Sequence, residues 1–116
     1  MPLAPSAILA AILLALAAAP AAAQSFSCSG SLQPDERAVC DSGKLSALDD
    51  EMSALYHDIE THALMGVSGE TRDSQRAFLT ERASCGADDA CIERLYHHRI
   101  AELRKTKEAV GQGAAN

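Results

Sequence analysis

The sequence has no surplus of basic residues. Ten Lys and Arg stand against sixteen Asp and Glu, leaving a net charge of −6 over 116 residues. A module that grips nucleic acid by neutralising phosphates needs a basic face, so that class is excluded. The same balance disfavours simple attraction to an anionic lipid surface. Tryptophan is absent, and two Tyr and two Phe are the whole aromatic complement. The length allows one domain and argues against two. No Cys-x-x-Cys pair occurs, which removes the usual thiol–disulfide redox motif. No Gly-rich pattern of the phosphate-cradling kind is present either.

Charge is also missing, completely, from residues 1–23, which hold 19 of the 55 apolar residues of the chain. An apolar run from Ala7 to Ala19 is followed by Pro20 and the small residues Ala21-Ala22-Ala23. This reads as a secretory signal peptide with Gln24 as the first mature residue, although its start carries no Lys or Arg. The run is short and Ala-rich for a membrane span. Cys28, preceded by Ser25-Phe26-Ser27, does not sit in a Leu-x-x-Cys lipidation pattern. No membrane anchor is therefore expected after cleavage, and the mature chain belongs to a periplasmic or extracellular space where disulfides persist. Residues 24–116 then form a single 93-residue domain, with its core from about 26 to 110, in which 36 residues are apolar. So small a core calls for staples.

Helical spacing dominates what remains. Pro34 followed by Asp35 and Glu36 marks a helix start, since Pro suits the first turn and acids suit the positive end of the dipole. That short helix should end near Cys40, before an Asp41-Ser42-Gly43 turn. A second helix is expected from about Lys44 to Met65, with Leu45, Leu48, Met52, Leu55, Tyr56, Ile59 and Ala63 at 3/4 spacing. Gly66-Val67-Ser68-Gly69 reads as a loop and Thr71 to Ser84 as a third helix carrying Phe78 and Leu79 inward. After the segment Cys85 to Cys91, a last helix runs to about Val110, with Ile92, Leu95, Tyr96, Ile100 and Leu103 inward. No segment shows strand alternation. The predicted fold is all-α, a small disulfide-stapled bundle of three main helices plus one short N-terminal helix.

Four cysteines allow three pairings, and spacing does not choose among them. Joining Cys85 to Cys91 would pin the hairpin of the last two helices, and Cys28 with Cys40 would tie the N-terminal arm to the short helix. This is the preferred arrangement, at about 2–3 kcal/mol for each short loop closed. The Cys-x5-Cys spacing does not suit a usual zinc knuckle.

Polar residues on the apolar stripes are the most informative feature. At about 100° per residue, Arg82 falls between Phe78 and Leu79 with Gln75 beside them, and Arg99 falls amid Ile92, Leu95, Tyr96 and Leu103. Asp49 sits on the inner edge of the stripe of Leu45, Leu48, Met52 and Tyr56. Inward arginines need partners, because an unpaired buried charge costs several kcal/mol. Asp49 and Glu36 are the candidate carboxylates, with Gln75 and the hydroxyls of Tyr56 and Tyr96 completing the hydrogen bonds. Such a network either fixes helix register or forms a recessed polar site that receives a ligand group.

Catalytic signals are lacking. Neighbouring His97 and His98 point to different parts of a helix surface, and His57 and His62 do not stack. Asp58/His62 and Glu93/His97 are i,i+4 pairs of the kind usually found solvated on a helix face. No catalytic residue, metal or cofactor is expected.

The order Cys28, Glu36, Cys40, Leu45-x-x-Leu48-Asp49 and Tyr56 continues with Gln75-x-x-Phe78-Leu79-x-x-Arg82-x-x-Cys85, Cys91 and Tyr96-x-x-Arg99-Ile100-x-x-Leu103. It resembles the lysozyme-inhibitor LprI-type N-terminal domain family of secreted bacterial proteins, from about Phe26 to Arg104. Phe78 stands where that family usually has Trp, and Gly66 to Arg72 carries no family signature. The resemblance implies a helical, disulfide-bonded, non-enzymatic binding protein that blocks a peptidoglycan hydrolase. A basic lysozyme is the foremost candidate partner, and a chain of charge −6 would be steered toward it. An immunity factor against a wall-degrading effector and an envelope structural or stress-related module are the alternatives. The segments Gly86–Ala90 and Gly66–Arg72 are expected as contact loops.

Overall fold

The computed structural model describes Pro2 and residues 25–114. The leader assigned to residues 1–23 therefore lies, Pro2 apart, outside the described residues. Among the described residues four helices follow one another: α1 (Pro34–Asp41), α2 (Gly43–His62), α3 (Met65–Ser84) and α4 (Asp89–Ala114). No strand occurs among the described residues. The predicted all-α bundle, three main helices and one short one, is what the chain forms.

Local chemistry accounts for each boundary. Pro34 opens α1, and the Glu36 carboxylate reaches back to accept the backbone N–H of Gln33 at 2.9 Å. The expected three-residue turn before α2 shrinks to Ser42 alone, whose extended backbone ends one helix while its Oγ accepts the Leu45 N–H at 3.2 Å and starts the next. Cys85 closes α3, and Gly86 follows at φ +58°, a left-handed conformation that glycine adopts without penalty. The Asp88 carboxylate then accepts the Cys91 N–H at 3.1 Å and caps the start of α4.

One connection differs from expectation. The helix predicted to reach Met65 stops at His62, and Gly66-Val67-Ser68-Gly69 is not a loop but the first turns of α3. The link is only Ala63-Leu64. Neither Gly66 nor Gly69 takes a positive φ, so the glycines do not act as helix terminators. Ser68 and Thr71 are buried, and the Thr71 hydroxyl donates to the Val67 carbonyl at 2.7 Å. Packing of this face outweighs the roughly 1 kcal/mol that each interior glycine costs a helix. The proposed contact segment Gly66–Arg72 is thus helical. At the other end α4 continues to Ala114, beyond the predicted Val110.

The core is assembled from Val39, Leu45, Met52, Ile59, Phe78, Ile92, Tyr96, Ile100 and Leu103, with α2 against α4 as the principal packing. Phe78 and Tyr96 meet at 5.3 Å between ring centroids. Leu48, Leu55, Tyr56, Leu79 and Leu95 flank this core half-buried rather than entering it. Disulfides join Cys28 to Cys40 and Cys85 to Cys91, the preferred arrangement. The first ties residues 25–33 onto α1, and the second locks the α3–α4 connection.

Candidate functional site

The four polar residues placed on apolar stripes are all buried: Asp49, Gln75, Arg82 and Arg99. They do not form one cluster around the two arginines. Arg82, from α3, donates through Nε to Asp35 Oδ2 at 2.7 Å and through Nη1 to the Tyr96 hydroxyl at 3.0 Å. That hydroxyl in turn donates a hydrogen bond to Asp49 Oδ1 at 2.8 Å, and Arg82 Nη1 stands 3.8 Å from the same oxygen. Four side chains from four helices are linked in this way, which fixes their register more specifically than apolar contact alone.

Asp49 also holds the arm that precedes α1. Its Oδ2 accepts the Ser25 backbone N–H at 2.7 Å and its Oδ1 accepts the Ser25 hydroxyl at 2.8 Å. Next to Ser25, the Phe26 ring lies under the Arg82 guanidinium, 5.0 Å from its centroid, a cation–π arrangement. The carboxylate therefore accepts three hydrogen bonds while fully buried, which is how a buried charge is tolerated.

Arg99 is handled differently. Its Nε donates to Gln75 Oε1 at 3.0 Å, and its terminal nitrogens donate to Ser74 Oγ at 3.0 Å and to the Thr71 carbonyl at 3.2 Å. Gln75 Nε2 turns the other way, onto Met52 Sδ at 3.0 Å. No carboxylate bonds to Arg99 among the described residues, so α4 is joined to α3 by neutral acceptors.

The electrostatics follow these partners. Burial pulls the Arg82 guanidinium down, but Tyr96 and Asp35 outweigh it and hold the group above its ordinary value. Burial and then the Asp49 charge push the Tyr96 phenol well up, against the opposing Arg82. At Arg99 burial wins over Glu102 and Tyr56, and the group is lowered.

One expected partner is replaced. Glu36 does not reach either arginine; it is half-buried and closes the start of α1. Asp35 takes its place. The signal lay in the spacing: Asp35 is four residues before Val39, so both lie on the buried face of α1, whereas the third helical position of Glu36 suits capping. Tyr96 rather than Tyr56 supplies the hydroxyl to Arg82. The i,i+4 pairs Asp58–His62 and Glu93–His97 stand at 3.2 and 3.4 Å with the histidines exposed, and no group of three metal-ligating side chains is found among the described residues.

Two hollows flank the arm. One of about 270 Å³ lies between Phe26, Asp35, Leu79 and Arg82. The other, also about 270 Å³, lies between Ser53, Tyr56, Gln75 and Leu79. Ser25 lines both. The arrangement is that of a small all-α, disulfide-stapled module with a polar seam closed by the segment that precedes α1. Comparison with protein-family models, with curated proteins and with solved structures finds no match.

Proposed function

We propose that the chain is a secreted or periplasmic, non-enzymatic binding protein that blocks a peptidoglycan hydrolase, foremost a basic lysozyme. The observation that carries this reading is the corner between α2 and α3, where Leu64 and Met65 stand 84% and 90% exposed. Among the described residues they are the large apolar side chains left in solvent, and adjoining apolar surface from Val67, Ala109 and Val110 lines a hollow beside Leu64. Exposed apolar surface rimmed by polar groups marks protein interaction sites. The corner directly precedes the segment Gly66–Arg72 proposed as a contact, and displaces it as the contact centre.

Charge and the two disulfides support the same reading. A net charge of −6 complements a basic enzyme. Two disulfides suit an oxidising compartment, and no helix among the described residues is long and apolar enough to cross a membrane. The sequence resemblance to LprI-type domains points to the same class of target. The exported chain should slow lysis of bacterial walls by lysozyme, with the effect weakening as salt rises. Undiminished lysis at large molar excess retires the proposal for that enzyme.

A further inference from the structure

The polar seam holds more hydrogen-bonding capacity than the fold uses. Asp35 Oδ1 and Ser53 Oγ are buried and have no hydrogen-bond partner, in residues that are 2% and 3% exposed. Buried polar atoms without partners are uncommon and call for an explanation. Each of the two lines one of the hollows beside the arm, Asp35 the first and Ser53 the second. Between the hollows sits Ser25, which belongs to no helix, is itself exposed, and reaches Asp49 through its N–H and its hydroxyl. The covalent anchor of the arm, Cys28–Cys40, lies three residues further on, so Ser25 and Phe26 can swing aside without breaking the disulfide. Withdrawing Ser25, which lines both hollows and covers Asp49, would open the two to one another over that carboxylate, with Asp35 beside one half and Ser53 beside the other.

What occupies the groove now indicates what it accepts. Ser25 presents to one carboxylate an acylated N–H and an O–H on adjacent carbons, the atom sequence N–C–C–O. The 2-acetamido and 3-hydroxyl groups of a 2-acetamido-2-deoxyhexose carry the same sequence. The spare Asp35 oxygen would accept a further sugar hydroxyl, and the Ser53 hydroxyl would donate to or accept from another. Leu79, present in both walls, and the Tyr56 ring, which stay in place when the arm moves, offer apolar surface to the C–H faces of a pyranose. We infer that this groove is a seat for N-acetylated amino sugars, which the chain's own Ser25 fills in the closed state. This site is separate from the Leu64–Met65 corner and does not depend on which protein that corner contacts.

A closed arm lowers apparent affinity by the fraction of molecules in which it is open. The test is an amide NMR titration of the exported, oxidised chain with tri-N-acetylchitotriose, and with cellotriose, which lacks the amide. Expected are shifts at Ser25–Ser27, Ser53, Tyr56 and Leu79 with the acetamido sugar, at least about tenfold weaker binding of cellotriose, and a gain of about tenfold in Ser25→Pro, which deletes both donors to Asp49. Ser53→Val should weaken binding without lowering the melting temperature. If Ser25→Pro unfolds the protein, Phe26→Ala loosens the same arm and should show the same gain. Absence of saturable binding in both the parent and the loosened variant, equal response to the two sugars, or binding only of a Gln-Ser-Phe peptide would overturn the inference.

Discussion

Removing the Arg82 side chain is the severest test of the polar seam. In Arg82→Met the stem volume is retained while the guanidinium disappears from between Asp35, Tyr96 and Asp49. Asp49 keeps its donors from Ser25 and Tyr96. Asp35 loses its bond at Oδ2, and its Oδ1 already lacks a partner, so an entire carboxylate is left buried and unpaired. Breaking a buried pair from one side costs about 3–5 kcal/mol. In a domain of this size each kcal/mol shifts the midpoint by about 4–8 °C, giving a fall of roughly 12–40 °C. Arg99→Met strands only neutral acceptors, Gln75, Ser74 and the Thr71 carbonyl, and should cost less, about 1–3 kcal/mol. Adding Asp35→Leu to Arg82→Met should recover part of the loss, because the stranded charge goes with it. Thermal unfolding of the oxidised proteins followed by far-ultraviolet circular dichroism measures all three. An Arg82→Met midpoint equal to the parent's, or one above that of Arg99→Met, would refute the reasoning.

Three further outcomes follow from the same geometry. The Tyr96 phenol is raised by burial and Asp49, so the folded state holds its proton more tightly than the unfolded one; stability from this source is complete below about pH 10 and is lost as pH rises through the unfolded and then the folded value. Tyr96→Phe should flatten that alkaline loss in a pH series of unfolding midpoints. Replacing Cys85 and Cys91 together by Ser should cost about 2 kcal/mol, and replacing Cys28 and Cys40 about 3 kcal/mol, because the second pair closes the longer loop; urea unfolding distinguishes the two. Gly86→Ala should destabilise by about 1 kcal/mol because φ is +58°, whereas Gly66→Ala, in open space within α3, should stabilise by up to about 1 kcal/mol.

Where periodicity was unbroken, local and tertiary preferences agreed and the helix type could be read directly, as with the stripes of α2 and α4. The inward positions of Arg82, Arg99, Asp49 and Gln75 were legible for the same reason, since a charge on an apolar stripe is visible at helical spacing. Their partners were not. Asp35 and Glu36 are adjacent acids; the four-residue spacing of Asp35 to Val39 places Asp35 on the buried face of α1, but that this face meets Arg82 follows from the packing of α1 against α3. The α2–α3 link was misplaced because Gly66 and Gly69 signal a break in isolation, while the break falls at Ala63-Leu64 once Ser68 and Thr71 are buried. Ser25 gave no sequence signal at all. Its role depends on the segment before α1 folding back over Asp49, a contact that local propensity does not encode.

Surface and target meet in one measurement: lysozyme-driven wall lysis in the presence of the oxidised chain or of its Leu64→Asp, Met65→Asp variant, both first shown to share one unfolding midpoint. The parent should slow lysis, and the variant should lose most of that effect, since two buried apolar anchors of an interface become charges. Equal inhibition by both would remove the α2–α3 corner from the account, and no inhibition by the parent would contradict the proposed function itself.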